Sequence, residues 1–410
     1  MQLVTTRDGR NYLLPFVLVT SLFFLWGFAH SILDVLNKYF QDHLHLTKAD
    51  SGMIQAVVYG GYFLMALPAG YVIDRWGYRA GVLAGLVLYG IGALLFIPGG
   101  AIMNFGFFLF SLFVIGCGLT FLETSANPYV TILGNPESAE RRINFSQSFN
   151  GLGWMLGPIV GGAFLFTDEG QEPNITLPYA LIGSLVIVIA LIFSRVELPE
   201  VQTQAENAPA EAESAASQPD ADRPLLRRPL FLFGLLSLFL YVAAQTGINS
   251  FFINYAVEMA HLSDATASRL LGFGCMGLFM VGRMGGSWVM SRVAGERLLL
   301  VCALGAIVGM AVVVMGAGTW GMGALFGVYL CESIMFPTIF ALALRGLGRH
   351  TKLASSLLIM SIVGGAIAPP LMGAVADHHN MALGFVVPLA CFVVIALYAF
   401  TLTQKTQNQP

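Results

Sequence analysis

The sequence predicts an all-α protein that crosses a membrane many times, because it combines few charges, long apolar runs and an internal repeat. Of its 410 residues, 56% are hydrophobic and only 10% are charged, whereas soluble proteins carry roughly 25% charged residues. Apolar runs of about 20 residues match the hydrocarbon thickness of a bilayer. The runs are longer than the ~10-residue alternating strands of a membrane barrel, so we predict helices.

Twelve apolar runs divide the chain into two sets of six. They cover residues 11–40, 51–73, 79–99, 103–133, 142–167, 178–195, 229–257, 265–290, 297–316, 319–344, 353–376 and 381–403. A polar, alanine- and proline-containing stretch separates the two sets, and its composition predicts a disordered linker. We therefore predict an N-terminal six-helix half (1–195), a cytoplasmic linker (196–228) and a C-terminal six-helix half (229–410).

Basic residues are distributed unequally between the two sides of the predicted helices. Of the 20 Lys and Arg residues, sixteen fall in the tails and in the loops on the same side as the tails. The opposite side holds only Lys38 and Lys48, and Arg269 and Arg283 fall within the eighth helix. Positively charged loops stay in the cytoplasm. We therefore predict a multi-pass plasma-membrane protein (the inner membrane of a bacterium) with both termini in the cytoplasm.

Polar residues recur at equivalent positions of the two halves. A shift of 215 positions aligns Asp34 with Asn249, and a shift of 209 positions aligns Glu123 with Glu332. Each of these glutamates is followed five residues later by a proline. The pattern indicates a duplication, and two parallel six-helix repeats resemble the major facilitator fold, in which the substrate binds between the halves near the membrane midplane.

Three carboxylates fall inside the predicted helices, namely Asp34, Glu123 and Glu332. A charge at the centre of a bilayer is costly, so such residues mark function. Burial favours the neutral form of a carboxyl group, and we interpret the three acids as sites that couple transport to a proton or to Na⁺. The sequence leaves both ions open. A structural alternative is that Lys38, one helical turn later, forms an ion pair with Asp34 near the surface or extends outward to solvent.

Amide side chains accompany these acids along the predicted helices. An amide both donates and accepts hydrogen bonds, as the recognition of sugar hydroxyls requires. We predict that the substrate is bound by Asn37, Asn127, Gln147, Asn150, Gln245 and Asn249.

The loop after the second run, GYVIDRWGYR at residues 70–79, resembles the signature loop of the major facilitator superfamily. That signature reads Gly-x-x-x-Asp-Arg/Lys-x-Gly-Arg/Lys, and a tyrosine replaces one basic residue here. We interpret Gly70, Asp74, Arg75 and Gly77 as a tight glycine turn that acts as a latch for one conformational state. The alternative is an ordinary cytoplasmic loop.

Motifs for other functions are absent from the sequence. It contains no phosphate-binding loop of the Gly-x-x-x-x-Gly-Lys type, no His-Glu-x-x-His zinc motif and no nucleophile elbow. The five cysteines show no metal-ligand spacing. We expect no enzymatic activity, no metal, no cofactor other than a coupling proton or sodium ion, and no nucleic-acid partner. We expect a monomer in a lipid bilayer that binds a small sugar.

Seven stretches together resemble the fucose–proton symporter family of the major facilitator superfamily, which also includes bacterial glucose/galactose transporters. The resemblance runs from about Leu14 to the C-terminus, apart from the linker. The stretches are SLFFLW (21–26) with Asp34, GGYFLMALPAG (60–70), LETSANP (122–128), NFSQSFN (144–150), YVAAQT (241–246), FPTIF (336–340) and residues 355–365.

The resemblance implies a proton-coupled importer of a monosaccharide. It implies that Asp34 and Glu123 are the key acids and that Gln147 and Asn150 contact the sugar. Two departures keep the sugar open between fucose and a hexose such as glucose or galactose. The sequence HSILD ends at Asp34 where the fucose-transporting member has an Asn-Asn-Leu-Asn-Asp run, and Glu332 stands where that member has no acid. A Na⁺-coupled glucose/galactose symporter is the first alternative; a drug–proton antiporter and a non-transporting sugar sensor are the others.

Overall fold

The computed structural model describes residues 12–134, 139–166, 174–196, 225–290, 292–345, 347 and 351–407. Within these ranges the regular elements are all helices, as predicted. The α-helices are α1 (Leu13–Leu44), α2 (Lys48–Ser51), α3 (Met53–Leu94), α4 (Phe96–Ile102), α5 (Phe105–Ile132), α6 (Ala139–Leu165), α7 (Thr176–Arg195), α8 (Pro229–Ala260), α9 (Asp264–Arg269), α10 (Gly277–Met290), α11 (Gly295–Val314), α12 (Thr319–Glu332), α13 (Met335–Leu344), α14 (Thr351–Met360), α15 (Ala368–His378), α16 (Met381–Gly384) and α17 (Val386–Gln407). Most of the predicted linker lies outside the described residues.

Ten helical stretches of the described chain are long and apolar enough to cross a membrane. One of them, Lys48–Ile102, is 55 residues long and contains two of the twelve predicted runs. These two runs meet at Gly77, whose backbone is not helical (φ 84°, ψ 171°). Helix α6 corresponds to the fifth predicted run but is less apolar, because polar and charged residues fill its first half. The multi-pass helical architecture is therefore as predicted, and these two features account for the difference in number.

Two compact units make up the chain. The first unit contains Met1–Leu46, Met53–Gln204 and Asp264–Phe273, and the second contains Thr47–Gly52, Ala205–Ser263 and Gly274–Pro410. Each unit therefore consists mainly of one predicted half, with a short segment from the other half of the sequence.

Small residues allow α1 and α6 to approach closely inside the first unit. A Cβ atom added at Gly153 would meet the backbone carbonyl oxygen of Phe24 and, at 2.6 Å, the backbone nitrogen of Phe28. The hydroxyl of Ser31 donates a hydrogen bond to the Gly153 carbonyl oxygen at 3.2 Å. This close contact fixes the face of α1 that carries His30 and Asp34.

We predict that Gly153→Ala destabilises the protein, because the added methyl group would push α1 and α6 apart. Overpacking of this kind costs about 1–3 kcal/mol, which should lower the midpoint of thermal unfolding of the purified protein in detergent. Gly60→Ala is the matched control, since a Cβ atom at Gly60 would meet nothing within 4 Å. An equal effect of the two substitutions would contradict the packing described for α1 and α6.

Candidate functional site

Asp34 is buried on α1, with 2% of its surface exposed. Its Oδ1 atom accepts a hydrogen bond from Nε2 of Gln55 at 3.1 Å, and its Oδ2 atom has no hydrogen-bond partner among the described residues. The ammonium group of Lys38 pairs with Asp42 at 2.6 Å and lies 4.0 Å from Asp264. The alternative that Lys38 neutralises Asp34 is therefore wrong. Lys38 instead extends toward the end of α1, where its ammonium group stays closer to solvent.

His30 lies one turn before Asp34, and its side chain also contacts a residue of α3. Its Nε2 atom is 2.9 Å from the hydroxyl oxygen of Tyr62, and its ring stacks on that of Trp154 of α6 (centroids 5.8 Å apart, planes at 10°). Gln55 and Tyr62 are two turns apart on α3 and so lie on one face of that helix. The polar face of α1 is thus matched by a polar face of α3.

The hydroxyl of Tyr62 links α1 to α5. In addition to its contact with His30, it lies within hydrogen-bonding range of the side chains of Glu123 of α5 and Trp26 of α1. Glu123 is half-buried. We call Trp26, His30, Tyr62 and Glu123 the Tyr62 cluster.

Sequence reasoning missed Gln55 and Tyr62, the α3 partners of the site. Gln55 gave a usable signal, because an amide inside a long apolar run has to find a buried partner. Tyr62 gave none, since Tyr59 and Tyr71 occur in the same run and only the packing of α3 selects among them.

The predicted amides of the first half separate into two groups. Nε2 of Gln147 donates to Oδ1 of Asn127 at 3.3 Å, and both side chains are half-buried. The amide of Asn150, which is buried, donates to the backbone carbonyl oxygen of Phe23 at 3.1 Å. Asn37 is fully buried on α1. The structure therefore brings Asn127 and Gln147 together, whereas one donor of Asn150 holds α6 against α1.

The second unit carries the other predicted polar residues. Gln245 is half-buried and Asn249 is buried on α8. The Oδ1 atom of Asn249 has no hydrogen-bond partner within the described ranges. Glu332 is 0% exposed, and within those ranges neither of its carboxylate oxygens has a hydrogen-bond partner.

The two glutamate–proline motifs differ in backbone conformation. Helix α5 continues through Pro128 to its end at Ile132. Helix α12 ends at Glu332, and α13 begins at Met335, shortly before Pro337. The helix of the second motif is therefore interrupted between the glutamate and the proline, whereas the helix of the first motif is continuous.

Side chains of two other helices satisfy the carbonyl groups at this break. Pro337 has no N–H group to donate to the carbonyl oxygen of Ser333, and Nε of Arg283 donates to that oxygen at 3.3 Å. The hydroxyl of Tyr241 donates to the backbone carbonyl oxygen of Glu332 at 2.9 Å. Glu332 thus has a hydrogen bond at its backbone carbonyl oxygen, while its carboxyl oxygens have no hydrogen-bond partner among the described residues.

Residues 70–79, which the sequence predicts to be a loop with a glycine turn, lie within α3, and Gly77 is the non-helical residue there. Gly77 has a positive φ of 84°, which residues with a side chain rarely adopt. Asp74 is exposed, and Nη1 of Arg75 donates to the Tyr71 hydroxyl at 2.7 Å. Gly70 lies in the helix, where a Cβ atom would meet nothing within 4 Å. The latch role of these residues stays a prediction.

Comparisons with known proteins agree with this arrangement. The Major Facilitator Superfamily profile matches residues 19–362. The L-fucose-proton symporter of Escherichia coli (strain K12) is 34% identical over 428 residues, which cover 98% of this chain and 96% of that protein. A glucose/galactose transporter of Brucella abortus biovar 1 (strain 9-941) is 36% identical over 401 residues, covering 96% and 95%.

A solved structure also covers nearly the whole chain. It is the crystal structure of a Major Facilitator Superfamily transporter, FucP, in the outward conformation. It is 35% identical, covers 96% of this chain and 99% of its own, and gives a TM-score of 0.67.

We predict that Tyr241→Phe destabilises the protein, because it leaves the buried carbonyl oxygen of Glu332 without its hydroxyl donor. The expected loss is about 1–3 kcal/mol, seen as a lower midpoint of thermal unfolding in detergent. Tyr398→Phe is the matched control: Tyr398 is also fully buried, but its hydroxyl has no hydrogen-bond partner in the described part of the chain. If both variants unfolded at the same temperature, the bond from Tyr241 would not stabilise the helix break.

Proposed function

Because this chain belongs to the Major Facilitator Superfamily, we propose that it is a proton-coupled symporter that imports a monosaccharide by alternating access. The relatives named above are transporters of small sugars, and the chain matches them over nearly its full length. The observation that carries the proposal is the position of Glu123 beside Tyr62, whose hydroxyl lies 2.9 Å from Nε2 of His30 on α1, inside a membrane-spanning unit. Such a group can take up a proton where lipid excludes other charges.

We propose Asp34 and Glu123 as the ion-coupling residues. Asp34 has one carboxylate oxygen held by Gln55 and one without a partner in the described ranges, so its uptake of a proton removes an uncompensated buried charge. Glu123 is less buried and is held by the Tyr62 hydroxyl. Glu332 is a third candidate, since protonation is the only means visible in the described structure of neutralising its carboxyl group.

For the substrate site we propose the predicted amides, with Asn127 and Gln147 as its best-supported members. Their side chains are paired and half-buried, so they can exchange their mutual hydrogen bond for bonds to sugar hydroxyls. Asn37, Asn150, Gln245 and Asn249 are further candidates. The sugar is fucose or a hexose such as glucose or galactose, the substrates named for the relatives.

The location of the protein follows from the same proposal. The chain is a multi-pass membrane protein, and we propose that it resides in a bacterial inner membrane with both termini in the cytoplasm, as its basic residues predict. We propose that it acts as a monomer.

Uptake into liposomes tests the proposed function. The purified protein should accumulate at least one of L-fucose, D-glucose, D-galactose and D-mannose against its concentration gradient when the outside is made acidic. A Na⁺ gradient at equal pH should drive no accumulation, because the carboxyl groups are proposed to take up protons. If none of the four sugars accumulated under the proton gradient, the proposal would be refuted. If accumulation were driven by Na⁺ alone, the coupling ion would be Na⁺ and not the proton.

The substitution Glu123→Gln tests the coupling step in the same liposomes. Glutamine cannot take up a proton, so this variant should lose gradient-driven accumulation. Glu258→Gln is the matched control, because Glu258 pairs with Lys48 at 2.9 Å and lies outside the proposed site. Full accumulation by Glu123→Gln would contradict the role of that residue.

A further inference from the structure

The hydroxyl of Tyr62 lies 2.9 Å from the imidazole Nε2 of His30 on α1. The indole of Trp26 on α1 and the carboxyl group of Glu123 on α5 lie within hydrogen-bonding range of the same hydroxyl. All four residues belong to the first unit. The mechanism above uses Glu123, but it assigns no role to His30.

The chemistry of a phenol restricts how this cluster can be arranged. A phenol hydroxyl donates one hydrogen bond and accepts two, and the indole N–H of Trp26 can only donate. Trp26 therefore occupies one acceptor position of Tyr62. One donor and one acceptor position remain, and they have to be shared between His30 and Glu123.

Two proton arrangements satisfy all members of the cluster. When Glu123 is ionised it can only accept, so Tyr62 donates to Glu123 and His30 donates to Tyr62 from Nε2. When Glu123 is protonated and donates to Tyr62, the hydroxyl turns to His30. Nε2 of His30 then has to accept, and the ring proton is on Nδ1. The tautomer of His30 thus follows the protonation state of Glu123.

We propose that His30 is a proton-relay residue that delivers the coupling proton to Glu123 through Tyr62. The inference rests on the proposed proton-coupled function. A proton binds to Nδ1 of His30, the Nε2 proton passes to the oxygen of Tyr62, and the phenol proton passes to the Glu123 carboxylate. The products are a neutral imidazole protonated on Nδ1, a neutral phenol and a neutral carboxylic acid, so the cluster gains one proton. After Glu123 releases its proton, the Tyr62 hydroxyl turns back to the carboxylate. Loss of the Nδ1 proton and gain of a proton at Nε2 then restore the first tautomer.

The surroundings of His30 allow protons to move while the ring stays in place. Trp154 of α6 stacks on the imidazole at 10°, and Tyr59 of α3 lies with its ring centroid 5.9 Å away. The described titratable groups around the ring are Asp34 on α1, Tyr59 and Tyr62 on α3, and Glu123 on α5 beyond Tyr62. No described basic residue is among them, so a proton on the relay meets acids and phenols only.

Nuclear magnetic resonance of the ¹⁵N-histidine-labelled full chain in nanodiscs tests the relay directly. The signal of His30 is assigned by its loss in His30→Leu. We expect the Nε2–H tautomer in alkaline solution and the Nδ1–H tautomer once Glu123 is protonated, and we expect no such change with pH in Glu123→Gln. A single tautomer throughout the titration of the unsubstituted protein, or a change that persists in Glu123→Gln, would overturn the proposal. This result does not depend on which sugar, if any, is transported.

Transport by relay variants gives a second, independent readout. His30→Leu and Tyr62→Phe each remove one proton-transfer group of the relay. They should lower the rate of gradient-driven accumulation roughly 100-fold, because a positioned proton-transfer group contributes rate factors of this size. Sugar exchange without a gradient needs no net proton transfer, so it should fall less than accumulation does. His43→Asn is the matched control on α1, because His43 bonds only the Tyr39 carbonyl oxygen among the hydrogen bonds described. Equal losses of exchange and accumulation in His30→Leu would show a structural role and overturn the relay.

Discussion

Polar side chains inside a membrane-spanning unit have to satisfy one another, because lipid offers no hydrogen bonds. In the first unit this constraint converges on the hydroxyl of Tyr62, which lies 2.9 Å from Nε2 of His30 and within hydrogen-bonding range of Glu123 and Trp26. A lone carboxyl group in this place would carry a large desolvation penalty. The polar side chains around Glu123 lower that penalty and leave it half-buried.

Both units are helical, but the glutamate of the repeated motif has different hydrogen-bond partners in each unit. Glu123 is bound by a hydroxyl, whereas Glu332 has its backbone carbonyl bound by Tyr241 and no described partner for its carboxyl group. In addition, α12 ends at Glu332, whereas α5 continues past the corresponding place to Ile132. The repeated glutamates of the two halves thus lie in different local surroundings.

The helices and the buried acids could be predicted from the sequence, but their partners could not. Long apolar runs have few structural solutions in lipid, and intramembrane carboxylates such as Asp34 are conspicuous in them. The sequence did not specify the partner of Lys38, because Asp34 and Asp42 lie one turn before and one turn after it. In the structure Lys38 pairs with Asp42, which is more exposed to solvent than Asp34. Tyr62 depends on how α3 rotates against α1, which no local pattern specifies.

The movement of protons with the sugar tests the central claim most directly. Lightly buffered, de-energised cells or right-side-out vesicles that contain the protein should take up protons when a transported sugar is added, so the external medium should become alkaline. Vesicles with Glu123→Gln should show no such change. Sugar entry without any alkalinisation of the medium would contradict proton symport, even if the sugar were transported at a high rate.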